Sequence, residues 1–366
     1  MSRLLRPAAA LIMIAVVLTG CGRTDIKETS GTKESKKAPV SESYTEADID
    51  DITEVTDTEP VETKPVSTFK YDVYKTSPMF DEVMGEDMAS AYQNMLTAVM
   101  NGETEFECSD SNTYDWMIGQ YPYNFCPVLK EHAVSMGYYD GKGHIELDCS
   151  YEQFREELQE FGVLVEDMMN EVFEDDYTDF EKALALYMYF SEYGNFTYDY
   201  DAANSDVYLD TNSILKVMTT RYGICGDLST TYSFLLAQAD VDAGTIGGPR
   251  SSDGAPHGWS LIRLDGQCYQ IDPTYALGMD GYMAYFMMDT DKRELEDGYM
   301  REDFTYVNHY TIYAPVAYDV TEFYCDDNRY EDLWDMTVLS FDPDTKTMCC
   351  YDYYGNTVEV DYSGLE

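Results

Sequence analysis

The chain has 366 residues, with 70 acidic against 23 basic side chains, a formal charge of −47 and an isoelectric point near 4.1. So negative a field repels polyanions, which excludes nucleic acid and anionic lipid surfaces as ligands. Apolar residues make up 44% of the chain, enough to build a sizeable core wherever they are not interrupted.

In chain order, Arg3 and Arg6 precede an apolar run from Ala8 to Leu18, the pattern of a secretory signal peptide over residues 1–20. That run is short for a membrane span. The ending Leu18-Thr19-Gly20-Cys21 resembles a bacterial lipobox, which implies cleavage before Cys21 and lipidation of its thiol. The protein is then a lipid-anchored one, held at the extracellular face of the cell membrane. Residues 21–68 continue as Ser, Thr, Glu, Asp, Lys and Pro with few large apolar side chains. Such a stretch cannot bury enough surface to offset its ordering entropy and reads as a disordered acidic linker.

Beyond it, residues 69–175 read as an N-terminal α+β elaboration, 176–320 as the core and 321–366 as a C-terminal β extension. Apolar periodicity predicts helices over Phe80 to Met100 and Phe154 to Phe173, with a short one over Asn212 to Met218. Gly143 to Cys149 and Ala243 to Gly247 read as strands. Two more lie between Val338 and Val360, the second after a turn near Tyr354-Gly355-Asn356.

The chemistry concentrates in Cys225, His257 and Asp272, a thiol, an imidazole and a carboxylate in that chain order. A thiol nucleophile needs a base to deprotonate it and a third group to orient the base. After Cys225, Leu228, Tyr232, Leu235 and Leu236 recur at helical spacing, so the thiol sits in the first helical turn. Gly223 and Gly226 leave the backbone free to turn and the sulfur approachable. A helix N-terminus favours thiolate, but Asp227 opposes it, so a neighbouring imidazolium is required. Hairpin parity supplies one. Asp265-Gly266 is a strong two-residue turn joining strands from His257 to Leu264 and from Gln267 to Asp272. Leu264 then pairs with Gln267 and Trp259 with Asp272, which puts His257 on the same face as Asp272, a diagonal neighbour roughly 7–8 Å away. A one-residue slip would separate them.

These segments resemble the transglutaminase-like superfamily of papain-fold cysteine enzymes. The resemblance runs from about Asp179 to Tyr275 and rests on Lys182-Ala183-Leu184-Ala185-Leu186-Tyr187, Phe196-Thr197-Tyr198-Asp199-Tyr200, Tyr222-Gly223-Ile224-Cys225-Gly226-Asp227, His257-Gly258-Trp259 and Tyr269-Gln270-Ile271-Asp272-Pro273-Thr274-Tyr275. It implies an α+β fold in which a helix-borne cysteine packs on an antiparallel sheet carrying the histidine and aspartate. It also implies that Cys225 is the nucleophile, His257 the base and Asp272 its orienter. Tyr222 and Trp259, flanking the thiol and the imidazole, are the candidate substrate-binding residues. The family often places a small or polar residue and an aromatic after its cysteine, where this chain has Gly226, Asp227 and Leu228. The Cys225 amide is one candidate oxyanion donor, and a second is unassigned.

The expected activity is thiol acyl transfer on amide bonds of a peptide or protein, cell-wall material included, most simply as a peptidase or amidase. Protein-glutamine cross-linking is the alternative within the fold, and a non-catalytic surface binding protein the alternative outside it. Cys108, Cys126, Cys149, Cys268, Cys325, Cys349 and Cys350 show no zinc spacing, and His132, His144 and His309 no paired metal-ligand pattern. No metal or cofactor is expected.

Overall fold

Several of the described helices begin where a short polar side chain meets a free backbone N–H. Ser77 accepts from the Phe80 amide, Asp110 from Thr113, Ser150 from Gln153, and Thr178 from Glu181 in a reciprocal capping box. Each such cap contributes about 1 kcal/mol. The computed structural model describes residues 68–203, 214–249, 256–297 and 323–366. Cys21, the leader, the linker and His309 lie outside them. Among the described residues no helix is long and apolar enough to cross a membrane.

In chain order the first layer comprises α1 (Pro78–Met84), α2 (Glu86–Met100), β1 (Glu105–Glu107), α3 (Ser111–Phe125), α4 (Pro127–His132), β2 (Ala133–Tyr139), β3 (Lys142–Leu147) and α5 (Tyr151–Val172). The single helix expected from Phe80 to Met100 is two. Gly85 sits at φ +93°, a conformation that favours glycine, and breaks the rod so that both pieces turn their apolar faces inward. Strand β3 is central in a β1-β3-β2 antiparallel sheet and covers Lys142 to Leu147 rather than Gly143 to Cys149. Helix α5 starts three residues earlier than its apolar pattern because Ser150 caps it there.

The core follows as α6 (Asp179–Ser191), β4 (Thr197–Tyr198), α7 (Tyr200–Ala203), α8 (Ile214–Thr220), β5 (Tyr222–Gly223), α9 (Cys225–Gln238), β6 (Ala243–Pro249), β7 (Pro256–Leu264), β8 (Gln267–Ile271), α10 (Pro273–Ala276) and α11 (Thr290–Asp297). The β6-β7-β8 sheet is antiparallel and lies against α9, while β4 and β5 form a short parallel pair. Helix α9 is buried on every face from Asp227 to Gln238. Mixed helices and antiparallel sheets of this kind are the expected α+β class.

At the C-terminus, β9 (Thr337–Asp342), β10 (Thr347–Tyr351) and β11 (Thr357–Asp361) form an antiparallel sheet ordered β11-β10-β9. Three strands stand where two were expected. The unread turn follows Asp342, whose carboxylate accepts from the Asp344 and Thr345 amides while Lys346 takes a positive φ. One hydrophobic cluster runs from Met79 to Tyr362 across all three stretches read as separate regions.

The C-terminal sheet is tied to the start of α6. Glu181 has no exposed side-chain surface; it accepts from the Tyr362 hydroxyl at 2.6 Å and pairs with Lys346 at 3.0 Å. Burial works to raise its pKa, but Tyr362, the Thr178 amide and Lys346 lower it below the usual glutamate value. A depressed carboxyl stabilises the fold above its unfolded pKa of about 4.3 and loses that contribution as the pH falls. Glu181→Ala is therefore expected to cost about 3 kcal/mol at neutral pH, since it strands a partner and removes a cap. Chemical unfolding at pH 7 and at pH 3 checks this, and an equal deficit at both would contradict it.

Candidate active site

Cys225 opens α9 immediately after β5, and two close approaches set its position. A Cβ at Gly223 would lie 2.8 Å from Val217 Cγ2 and 3.0 Å from Asp227 Cβ, so only glycine lets the chain turn so tightly into the helix. Gly258 of β7 faces Gly226, its Cβ position 3.4 Å from the Gly226 Cα. The helix end thereby lies against the sheet with no side chain between them. Polar stitches hold it: Ser229 Oγ donates to the Gly258 carbonyl and Ser260 Oγ to the Ser229 carbonyl, each at 3.0 Å. Ser233 Oγ donates to the Gly244 carbonyl at 2.8 Å.

The hairpin has the register parity predicts. Leu264 pairs with Gln267 and Ser260 with Ile271, and Asp265 and Gly266 both take positive φ. His257 Nε2 lies 2.6 Å from Asp272 Oδ2, with 5% and 0% of the two side chains exposed. The Cys225 thiol lies within electrostatic reach of the imidazole and helps to raise its pKa. Cys225, His257 and Asp272 are thus brought into one neighbourhood.

Asp272 serves two structures at once. Its Oδ1 accepts from the Thr274 and Tyr275 amides at 3.0 and 3.1 Å, capping α10, while its own N–H donates to the Tyr285 carbonyl. Its Oδ2 faces His257 and also the Arg293 guanidinium, whose Nη2 is 3.0 Å away. Arg293 is completely buried; its Cζ lies 4.4 Å from the centre of the Trp259 ring and 5.9 Å from that of Tyr275. Sequence reading missed this residue because it lies in α11, outside every block that carried the resemblance. A lone arginine in an acidic stretch reads as solvated surface.

Trp259 and Tyr222, both read as substrate-binding, have different fates. Trp259 has no exposed surface; its indole N–H donates to Gln270 Oε1 at 2.8 Å and its ring supports Arg293. Tyr222 is half exposed on β5, three residues before the thiol.

The electrostatics favour a charged pair. Burial pulls the His257 pKa down, but Asp272 and then the thiol outweigh it and raise it to about 10. Burial would raise Asp272, yet His257 and Arg293 hold it below the usual aspartate value. Asp227, expected to oppose the thiolate, is itself pushed up to about 7 by burial, despite accepting the Ile224 N–H through Oδ2. Its opposition is thereby weakened in neutral solution. Tyr123 of α3 lies within electrostatic reach of Cys225 and Asp227, a contribution of the first layer that no motif marks.

Elsewhere, His132 gathers Asp148 and Cys149 within 4.8 Å of one another, a grouping its sequence spacing did not suggest. Both ring nitrogens already meet carboxylates, Asp148 at 2.8 Å and Glu157 at 2.6 Å. Desolvation works to lower its pKa, but Glu157 and Asp148 raise it, as fits an imidazolium held between two carboxylates. The described cysteines are all free thiols.

Residues 166–273 match the model of the transglutaminase-like superfamily. This part of the chain is a transglutaminase-like domain, of the class of cysteine enzymes. A solved structure titled "Crystal structure of a TGase" is similar with 17% identity and a TM-score of 0.25, over 39% of this chain and 43% of that one. The chain thus spans less than half the length of that structure. No curated protein matches it.

A raised histidine pKa stabilises the fold below the unfolded value of about 6.5 and loses that contribution as the pH rises toward about 10. The melting-temperature difference between wild type and His257→Gln is therefore expected to shrink between pH 6.5 and 10. A constant difference across that range would contradict the buried ion pair.

Proposed function

We propose that this protein is a lipid-anchored, extracellular cysteine peptidase or amidase that works by thiol acyl transfer. The observation that carries the chemistry is the 2.6 Å contact of His257 with the buried Asp272 carboxylate, with the Cys225 thiol within electrostatic reach of the imidazole. Cys225 sulfur attacks the amide carbonyl carbon, and the carbonyl π electrons move to oxygen. As the tetrahedral adduct collapses, the C–N bond breaks and the amine leaves with a proton from the His257 imidazolium. His257 then takes a proton from water, whose oxygen attacks the thioester, and the thiolate departs with the free acid formed.

Asp272 keeps the imidazole oriented through both half-reactions, and Trp259 excludes water from beneath their contact. The Cys225 amide at the start of α9 supports the developing oxyanion. Half-exposed Tyr222 offers an aromatic rim for the acyl segment. The display outside the cell rests on the apolar leader and the Leu18-Thr19-Gly20-Cys21 sequence. The acidic linker then spaces the domain from the bilayer.

A peptide library offered with and without a primary amine tests the reading. Free acids in both arms are expected, whereas amine-linked products would make the protein a cross-linking enzyme. Cys225→Ala and His257→Ala should each lower turnover by about 10⁴-fold or more, with Asp272→Asn retaining more than either. No turnover in the wild type in either arm, with an unreactive Cys225, would leave a binding protein instead.

A further inference from the structure

The charged groups of the site form a set larger than the triad. Facing Asp272 are His257 from β7, Arg293 from α11, Tyr187 from α6 and the two amides of α10. Cys225 of α9 lies within electrostatic reach of the imidazole, and Tyr123 of α3 within reach of both Cys225 and Asp227. When thiolate and imidazolium form, three of these charges alone would leave a buried excess of one negative, within a chain of net charge −47. An uncompensated buried charge is costly. Arg293 is the group that balances it. It contacts the same Asp272 oxygen as His257 does, and the indole of Trp259 holds it from below.

We propose that Arg293 is a positioning residue of the reaction, holding Asp272 ionised and aimed at His257 so that Cys225, His257, Asp272 and Arg293 work as a four-group site with no net charge. This inference rests on the triad reading of the function. The guanidinium acts through Asp272, whose Oδ2 lies 3.0 Å from its Nη2. Arginine suits the task because it stays protonated when buried and its flat face stacks on an indole, whereas lysine loses its proton more readily there. Without the cation, Asp272 is left facing a dry site with less to hold its charge, and it takes up a proton at higher pH. The imidazole then loses its orienting partner under conditions where the wild type keeps it.

The test is the rate at which iodoacetamide alkylates Cys225 across pH in the full chain, with Cys225→Ser as the background for the other thiols. In Arg293→Gln the acid limb of the profile is expected to move up by about one pH unit or more, and Arg293→Lys is expected to bring it back toward the wild-type position. A purely structural arginine would lower the melting temperature of Arg293→Gln and leave the limb unmoved, which would overturn the inference. A folded Lys variant displaced as far as the Gln variant would also overturn it, since charge is then not what counts. Should Arg293→Gln fail to fold, the double variant with Asp272→Asn decides. It is expected to fold because no buried charge is left unmatched, and its failure to improve on the single change would contradict the proposal. A wild-type thiol with no His257-dependent reactivity would overturn the functional reading and this inference together. A reactive wild type with unmoved variants would overturn this inference alone.

Discussion

The buried carboxylate of Asp272 is the constraint on which the site depends. It ends β8, caps α10 through two amides, and meets an imidazole and a guanidinium through its second oxygen. A carboxylate with no exposed surface is stable only when donors surround it, and here they come from three separate elements. Packing those elements together is therefore the same event as assembling the site. The fold cannot keep Asp272 ionised without also bringing His257 and Arg293 to it.

The second requirement is the close approach of α9 to the sheet. Helix α9 carries the thiol and is buried along its length, which is possible because Ser229 and Ser233 on it donate to sheet carbonyls and Ser233 accepts from the Thr245 hydroxyl of β6. Glycine at 258 removes the side chain that would stand between the strand and the Gly226 backbone at the helix end. The thiol and the imidazole thus meet across two elements whose relative position is set by packing rather than by their own attraction. The pair is poised before any substrate arrives.

Much of this was legible in the chain. The Asp265-Gly266 turn dictates a two-residue hairpin, and strand parity then decides which side chains share a face, so the His257–Asp272 contact follows from counting. The helical start at Cys225 follows from the spacing of Leu228, Tyr232, Leu235 and Leu236. What was not legible depends on contacts distant in sequence or on single backbone angles. Arg293 and Tyr123 reach the site from elements whose local pattern carries no catalytic signal. Gly85 breaks a helix because of one positive φ that apolar periodicity does not register, and the turn after Asp342 is made by a carboxylate accepting its own backbone amides. The burial of Trp259 was not legible either, since the arginine stacked on its ring comes from a distant element.

A nuclear magnetic resonance titration of the His257 ring, wild type against Asp272→Asn, tests the central claim most directly. The account predicts that the wild-type ring keeps its proton until the pH nears about 10, and that Asp272→Asn returns it toward the ordinary histidine value of about 6.5. A ring that titrates near the ordinary value in both proteins would contradict it.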